Sequence, residues 1–141
     1  RTMITFNIFY DSNKNIKWCC GGPVDSATIS GQAAIGLSYL QLDLEQIPAC
    51  DHWYINDAED GVVAYHEFDL TFSATMVALD GIITITGCPT GTEIFMDTVS
   101  VGTYSSGALT LTGTMAGAFR LKFTKDKYYD VHQIITIKRY T

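Results

Sequence analysis

Charged residues are scarce in this chain. Lys, Arg, Asp and Glu make up 17% of its 141 residues, against roughly 25% in typical soluble domains. Proline occurs three times, and no apolar run approaches the roughly 18 residues of a membrane-spanning helix. We therefore expect neither long exposed helices nor a membrane partner. The abundant residues are apolar (47%) and aromatic (12%), a composition typical of strands.

A basic stripe of the kind that binds nucleic acid is also missing. The net charge is −6 and the calculated pI is about 4.8. The only basic concentration is interrupted by acidic residues and consists of Lys122, Lys125, Lys127, Lys138 and Arg139. A solvated strand face explains it, so we predict no nucleic-acid partner.

The four cysteines do not form a recognisable framework. They are Cys19, Cys20, Cys50 and Cys88, with no CxxC pair and no histidine at zinc-finger spacing. Cys19 and Cys20 are adjacent, so a strand would direct them to opposite faces. The first residues lack a secretory signal pattern. We therefore expect free thiols in a chain made in the cytoplasm, and a disulfide is the alternative if the chain is exported.

Motifs for catalysis and metal binding are largely missing. There is no GxSxG, HExxH or phosphate-binding loop. Cys50 and His52 would share one strand face and are the nearest approach to a nucleophile and its base. Residues 57–61 are acidic but lack the EF-hand spacing for calcium. A metal site built by histidines and carboxylates from distant strands is a further alternative. We predict no catalytic residue, metal or cofactor.

Turn formers divide the N-terminal half into short apolar runs. Residues 3–10 and 16–20 are separated by the polar run 11–15, which predicts a hairpin. Residues 24–36 predict either a loop or a short helix over 25–32. Further strands are predicted at 36–44, ended by Ile47-Pro48, and at 52–56 and 62–65.

The C-terminal half has the same rhythm of short strands and turns. Phe119, Leu121 and Phe123 alternate with polar residues, which indicates a half-buried strand. Other strands are predicted at 82–86, 92–97, 109–112 and 134–137. Residues 66–81 are expected to connect the halves. We predict an all-β protein, with a small β-sheet domain at 1–70 followed by an immunoglobulin-like β-sandwich at 71–141.

The second half resembles PEGA domains, an immunoglobulin-like family. Residues 83–94 read strand, Gly-x-Pro-x-Gly and strand, and Val101-Gly102-Thr103 is similar to the family's V-G-T. Leu109 and Leu111 match its L-x-L, residues 117–121 match its G-x-Y-x-V, and Tyr128 or Tyr129 matches its aromatic residue before the last strand. Asp97-Thr98 replaces the usual Asp-Gly, which predicts a longer hairpin there.

The first half resembles short proteins encoded in bacteriophage tail gene clusters. These open with a YD-x-x-G-x-I hairpin, similar here to Tyr10-Asp11 followed by Ile16, although Asn15 replaces the glycine. Residues 36–40, 47–48 and 53–56 are similar to later segments of those proteins. The resemblance implies a virion protein, tail- or capsid-associated, made in a bacterial host cytoplasm, whose partners are other virion proteins and copies of itself.

Aromatic residues near turns and strand ends are the candidate contact residues. Trp53, Tyr54, Trp18 and Tyr104 are predicted to lie at a protein–protein interface. The predicted function is therefore non-enzymatic assembly. The alternative is a carbohydrate- or host-surface-binding module that stacks a glycan on the same rings.

Overall fold

The computed structural model describes residues 3–44 and 52–140. Strand accounts for 52% of these described residues and helix for 8%, which confirms the predicted all-β fold. The chain divides into two compact units, Arg1–Tyr65 and His66–Thr141. The sequence places the boundary at residues 70 and 71, whereas Phe68 and Leu70 pack against the core of the second unit. Each unit has its own core.

The N-terminal unit contains one helix and two small sheets in its described residues. Its elements are β1 (Ile4–Tyr10), β2 (Ile16–Gly21), α1 (Ser26–Ala34), β3 (Ser38–Leu44), β4 (Trp53–Ile55) and β5 (Val62–Ala64). The three longer strands form an antiparallel sheet in the order β2-β1-β3, and β4 pairs with β5. The predicted end of β3 at Ile47-Pro48 lies outside the described residues.

The predicted hairpin of β1 and β2 is confirmed, and Asp11 organises its turn. The Asp11 carboxylate accepts the backbone N–H groups of Asn13 and Asn15 at 2.9 and 3.0 Å. Lys14 adopts a left-handed backbone with φ of 68°. A short acid that bonds the backbone two residues on stabilises such turns.

One face of the three-stranded sheet forms the core of the N-terminal unit. Phe6, Ile8 and Tyr10 alternate along β1 and are buried together with Ile16 and Ile55. Three leucines of β3 pack against them: Leu40, Leu42 and Leu44. Their alternation in the sequence predicts this shared face, and the structure confirms it.

The opposite face of the same sheet is aromatic and polar. Phe9 is fully buried, stacks on Trp18 with ring centroids 4.3 Å apart, and contacts Tyr39 at 5.2 Å. Buried Asn7 accepts the Tyr39 hydroxyl at 2.5 Å and donates to the Gly22 carbonyl. These bonds satisfy an amide that would otherwise be costly to bury.

Helix α1 confirms the helical alternative for residues 24–36. Its N-cap is Asp25, whose carboxylate accepts the Thr28 N–H at 2.7 Å. Hydrogen bonds with the side chain and the backbone of Thr28 lower the pKa of Asp25. Gln32 of the helix accepts the Trp18 indole N–H at 2.9 Å, which links α1 to the aromatic face of the sheet.

The C-terminal unit contains strands in two facing sheets. The strands are β6 (Thr71–Phe72), β7 (Met76–Ala78), β8 (Ile82–Thr86), β9 (Glu93–Met96), β10 (Val99–Thr103), β11 (Leu109–Thr112), β12 (Gly117–Thr124) and β13 (Val131–Lys138). One sheet has the order β10-β9-β12-β13-β7 and the other has the order β11-β8-β6. All pairs are antiparallel except β7 with β13.

Both sheets contribute to one sandwich-like core. Ile83 and Ile85 of β8 pack with Ile94, Leu121 and Phe123 of the larger sheet. Leu121 is 1% exposed and Phe123 is fully buried. The predicted alternation of β12 is therefore confirmed, with Arg120 and Lys122 on the opposite face.

Two turns of this unit have special backbone geometry. Asp97 and Thr98 alone connect the paired residues Met96 and Val99, so the prediction of a longer hairpin is wrong. Asp97 takes a left-handed φ of 58° without glycine, and its backbone and side chain both bond the main chain of Arg120. A Cβ at Gly87 would approach the Asp69 carbonyl to 2.1 Å, so that position requires glycine.

Candidate functional site

Strand β10 forms an exposed, uncharged edge of the five-stranded sheet. It is the last strand of that sheet, and all five of its residues are exposed. Val99 and Val101 are 66% and 58% exposed. Edge strands of soluble proteins are commonly guarded by lysine, proline or a bulge. β10 has a bulge between Ser100 and Gly102, but its sequence includes neither lysine nor proline.

The exposure of β10 follows from the unequal size of the two sheets. Neighbouring strands lie about 4.8 Å apart, so a three-stranded sheet cannot cover five strands. Consecutive strands β6 and β7 belong to different sheets and connect them at one margin. At the other margin, the outer strands are β10 and β11. Val99 lies opposite Met96, which packs on the core. The valine therefore extends the apolar face of the five-stranded sheet beyond the part that the three-stranded sheet covers.

A cleft of about 430 Å³ lies between β10 and β11. Core side chains of both sheets line it, among them Ile85, Ile94 and Leu121. Val101 and Leu109 contribute from the two outer strands, and no charged residue lines the cleft. An exposed strand edge beside an apolar cleft is the combination that binds extended segments, because the backbone supplies hydrogen bonds and the cleft accepts alternate side chains.

The four predicted interface residues lie in two different units and none of them is fully exposed. Trp53 packs against the N-terminal core, and half-buried Tyr54 has its ring 6.3 Å from that of Tyr65. Trp18 is held between Phe9 and Gln32. Tyr104 lines the cleft and donates its hydroxyl to the Gly107 carbonyl at 2.7 Å. Of the four, only Tyr104 lies at the cleft, and their role in binding stays a prediction.

The cysteines correct one expectation. Cys19 is in a disulfide, so the prediction that all four thiols are free is wrong. Cys20 and Cys88 are free. In the register of β1 and β2, Cys19 lies opposite Ile8 and packs on the core side. Cys20 lies opposite Asn7 on the other face, as the adjacency of the two cysteines predicts. Cys50, the proposed neighbour of His52, lies outside the described residues.

The acidic turn between β4 and β5 is held by one amide side chain. Asn56 accepts the backbone N–H groups of Asp60 and Gly61 at 3.0 and 3.1 Å and donates to the Asp60 carboxylate at 2.8 Å. Glu59 accepts the Tyr10 hydroxyl at 2.8 Å. Burial, followed by this acceptor, raises the pKa of Tyr10. Within residues 3–44 and 52–140, no three His, Cys, Asp or Glu side chains cluster to hold a metal.

The sequence reasoning did not identify β10 as a strand. Its residues do carry a signal, because Val99 and Val101 alternate with Ser100 directly after a strand and a two-residue turn. The cleft has no comparable signal. It depends on how many strands each sheet contains, which is a property of the whole unit.

Comparisons with protein-family models, curated proteins and solved structures returned no match. Among the described residues, no helix is long and apolar enough to span a membrane.

Proposed function

We propose that this protein is a non-enzymatic structural component of a virion, tail- or capsid-associated, which acts by assembling with copies of itself and neighbouring proteins. The observation that carries the proposal is the fully exposed edge strand β10 beside an apolar cleft. Both features favour contact with another polypeptide. The virion context is supported by the sequence resemblance of residues 10–56 to proteins of phage tail gene clusters.

The same proposal assigns the C-terminal unit to the immunoglobulin-like PEGA type. Its strand order supports this assignment, since the first strands β6 and β7 are divided between the two sheets and β7 runs parallel to the last strand. Residues 87–91 form the turn between β8 and β9, where the family has Gly-x-Pro-x-Gly. Asp97 occupies a tight hairpin turn, as the family's Asp does.

Self-association of the full chain tests the proposal. We expect oligomers whose mass, measured by light scattering after size exclusion, rises with concentration. Replacing Val99 and Val101 by Lys should weaken association about tenfold or more, because lysines on an edge oppose strand pairing. Ile35→Lys is the matched control, since Ile35 is 71% exposed in the other unit. Equal association of both variants would exclude the β10 edge as the contact.

A second candidate function is glycan binding by the β4–β5 hairpin. Exposed His52 and the half-buried rings of Tyr54 and Tyr65 lie together there, with His52 and Tyr54 6.2 and 6.3 Å from Tyr65. Amphipathic aromatic rings of this kind can stack on sugars. Binding of the native chain to a glycan array, lost in Tyr54→Ala, would favour this candidate. A protein that binds no glycan would exclude it.

A further inference from the structure

Charge is divided unevenly along the chain. Residues 1–65 contain eight of the fifteen acidic residues and three of the nine basic ones. The other six basic residues all lie between positions 120 and 139, where only Asp126 and Asp130 are acidic. An acidic N-terminal unit thus coexists with a basic strand pair, β12 and β13. Opposite potentials of this kind steer association and fix its register.

The basic residues of β12 lie on the sheet face that points away from the core. Arg120 and Lys122 alternate with the buried residues Leu121 and Phe123, and the register places Arg120 opposite Ile134 of β13. Ile134 is 54% exposed. We call Arg120, Lys122 and Ile134 the basic face. Arg120 and Ile134 also line a surface depression of about 360 Å³, together with Asp97.

The positive charges of this region differ in how far they are already engaged. Lys122 lies 3.8 Å from the Asp130 carboxylate and 5.5 Å from the centroid of the Phe95 ring, and Lys125 donates to the Thr90 carbonyl at 2.8 Å. Within the described part of the chain, no ion pair engages the Arg120 guanidinium. Asp97 bonds only the Arg120 backbone. The N–H donors of the planar Arg120 guanidinium are therefore available to bind a carboxylate.

Three acidic residues lie within four positions of the turn between β4 and β5. Asp57, Glu59 and Asp60 are all exposed. The side chain of Asn56 holds the turn through three hydrogen bonds. We call residues 57–60 the acidic turn. Because its backbone is held, little conformational freedom is lost when it binds.

We propose that the basic face of one copy docks the acidic turn of a second copy. This inference rests on the proposed function of self-assembly and adds a second contact between copies to that of the β10 edge. The two surfaces are different, so the contact is heterologous: it continues from copy to copy and closes only as a ring. Ile134 supplies the apolar centre, and Arg120 and Lys122 bind the carboxylates around it. An apolar centre with a polar rim is the usual composition of such contacts.

Charge reversal on the full chain tests the inference. One variant carries Arg120→Glu and Lys122→Glu, and the other carries Asp57→Lys and Asp60→Lys. Sedimentation velocity should show that the self-association of each variant is weaker by about tenfold or more. In each variant the 120/122 face and the 57–60 turn carry charge of the same sign and repel. A 1:1 mixture should associate again, since the intact turn of the first variant meets the intact face of the second. Circular dichroism and melting curves establish that each variant is folded.

The control carries Lys17→Glu and Arg139→Glu, which changes the net charge as much as reversal of the basic face. Both residues are exposed, and this variant should associate like the native chain. Native association should also weaken between about 0.1 M and about 1 M salt, as the Debye length falls from about 10 Å to about 3 Å. A mixture of the two folded reversal variants that stays dissociated overturns the inference.

Failure of the inference is distinguishable from failure of the proposed function. If the charge-reversal variants associate as strongly as the native chain while the variant with Lys at Val99 and Val101 does not, the assembly function is retained and the basic-face contact is overturned. A native chain that stays monomeric at every concentration and salt overturns both.

Discussion

The two units use their main sheets differently. In the N-terminal unit, both faces of the three-stranded sheet contain fully buried side chains: Ile8 on one and Phe9 on the other. In the C-terminal unit, the five-stranded sheet buries one face in the core and leaves Ile134 exposed on the other. A sheet that buries one face has the second available for partners. The C-terminal unit therefore contains the exposed sheet face on which we propose that the acidic turn of a second copy docks.

The largest difference in the free energy of unfolding is expected between substitutions of two neighbouring isoleucines of β13. Ile135 is fully buried and Ile134 is 54% exposed. Ile135→Asp places an unpaired charge in the core and should destabilise the C-terminal unit by about 4 kcal/mol or more. Ile134→Asp should change stability by about 0.5 kcal/mol. Denaturant unfolding of both variants measures this, and equal losses would contradict the assigned faces.

The next largest difference in stability is expected between two phenylalanines, each on the face of its sheet that points away from the core. Phe9→Ala in the N-terminal unit removes a fully buried ring and should cost about 3–5 kcal/mol. Phe95→Ala on the larger sheet removes a half-buried ring and its contact with Lys122, which should cost about 1 kcal/mol. Chemical denaturation of the two variants compares them directly. A cost for Phe95→Ala that matches Phe9→Ala would show that both sheets are covered alike.

The disulfide distinguishes the units chemically. Reduction should destabilise the N-terminal unit by about 2–4 kcal/mol and leave the C-terminal unit unchanged, because Cys19 is in a disulfide and Cys88 is free. Hydrogen exchange with and without reductant measures the loss in each unit. In denaturant without reductant, Cys20 and Cys88 should be alkylated and Cys19 should not. Alkylation of Cys19 under those conditions would contradict the structure.

The smallest effect is expected at the cap of α1 and depends on pH. The pKa of Asp25 is lowered by its hydrogen bonds with Thr28, so its stabilisation is present above the unfolded pKa of about 3.9. It is lost as the pH falls through the lower folded value. Hydrogen exchange of α1 should accelerate in acid. Asp25→Asn keeps a capping side chain without the titration, and the same acceleration in that variant would exclude Asp25 as the cause.

The C-terminal unit was more predictable than the N-terminal unit because its strands bury one face. Phe119, Leu121 and Phe123 share a face, and this period of two is visible in the sequence. In β1, apolar Ile8, Phe9 and Tyr10 are consecutive, since both faces are buried. Such a run indicates a strand but not what covers each side. The aromatic face under Trp18 was therefore not predicted.

The candidate site was less predictable than the fold. Aromatic residues near turns suggest interfaces and predict Trp18 and Trp53 as contact residues; both rings also pack within the N-terminal unit, and their role in contacts stays a prediction. The β10 edge is uncharged and lacks large side chains, so residue type does not mark it. Its exposure arises from the difference between a five- and a three-stranded sheet. The basic residues Arg120 and Lys122 are visible in the sequence, but the face that they share with Ile134 depends on the register of β12 and β13.

Sedimentation velocity of the native chain over a wide concentration range tests the central claim, self-assembly, most directly. The account predicts that the weight-average sedimentation coefficient rises with concentration and that lysines at Val99 and Val101 or charge reversal at Arg120 and Lys122 reduce this rise. A native chain that sediments as a monomer at every concentration would contradict it.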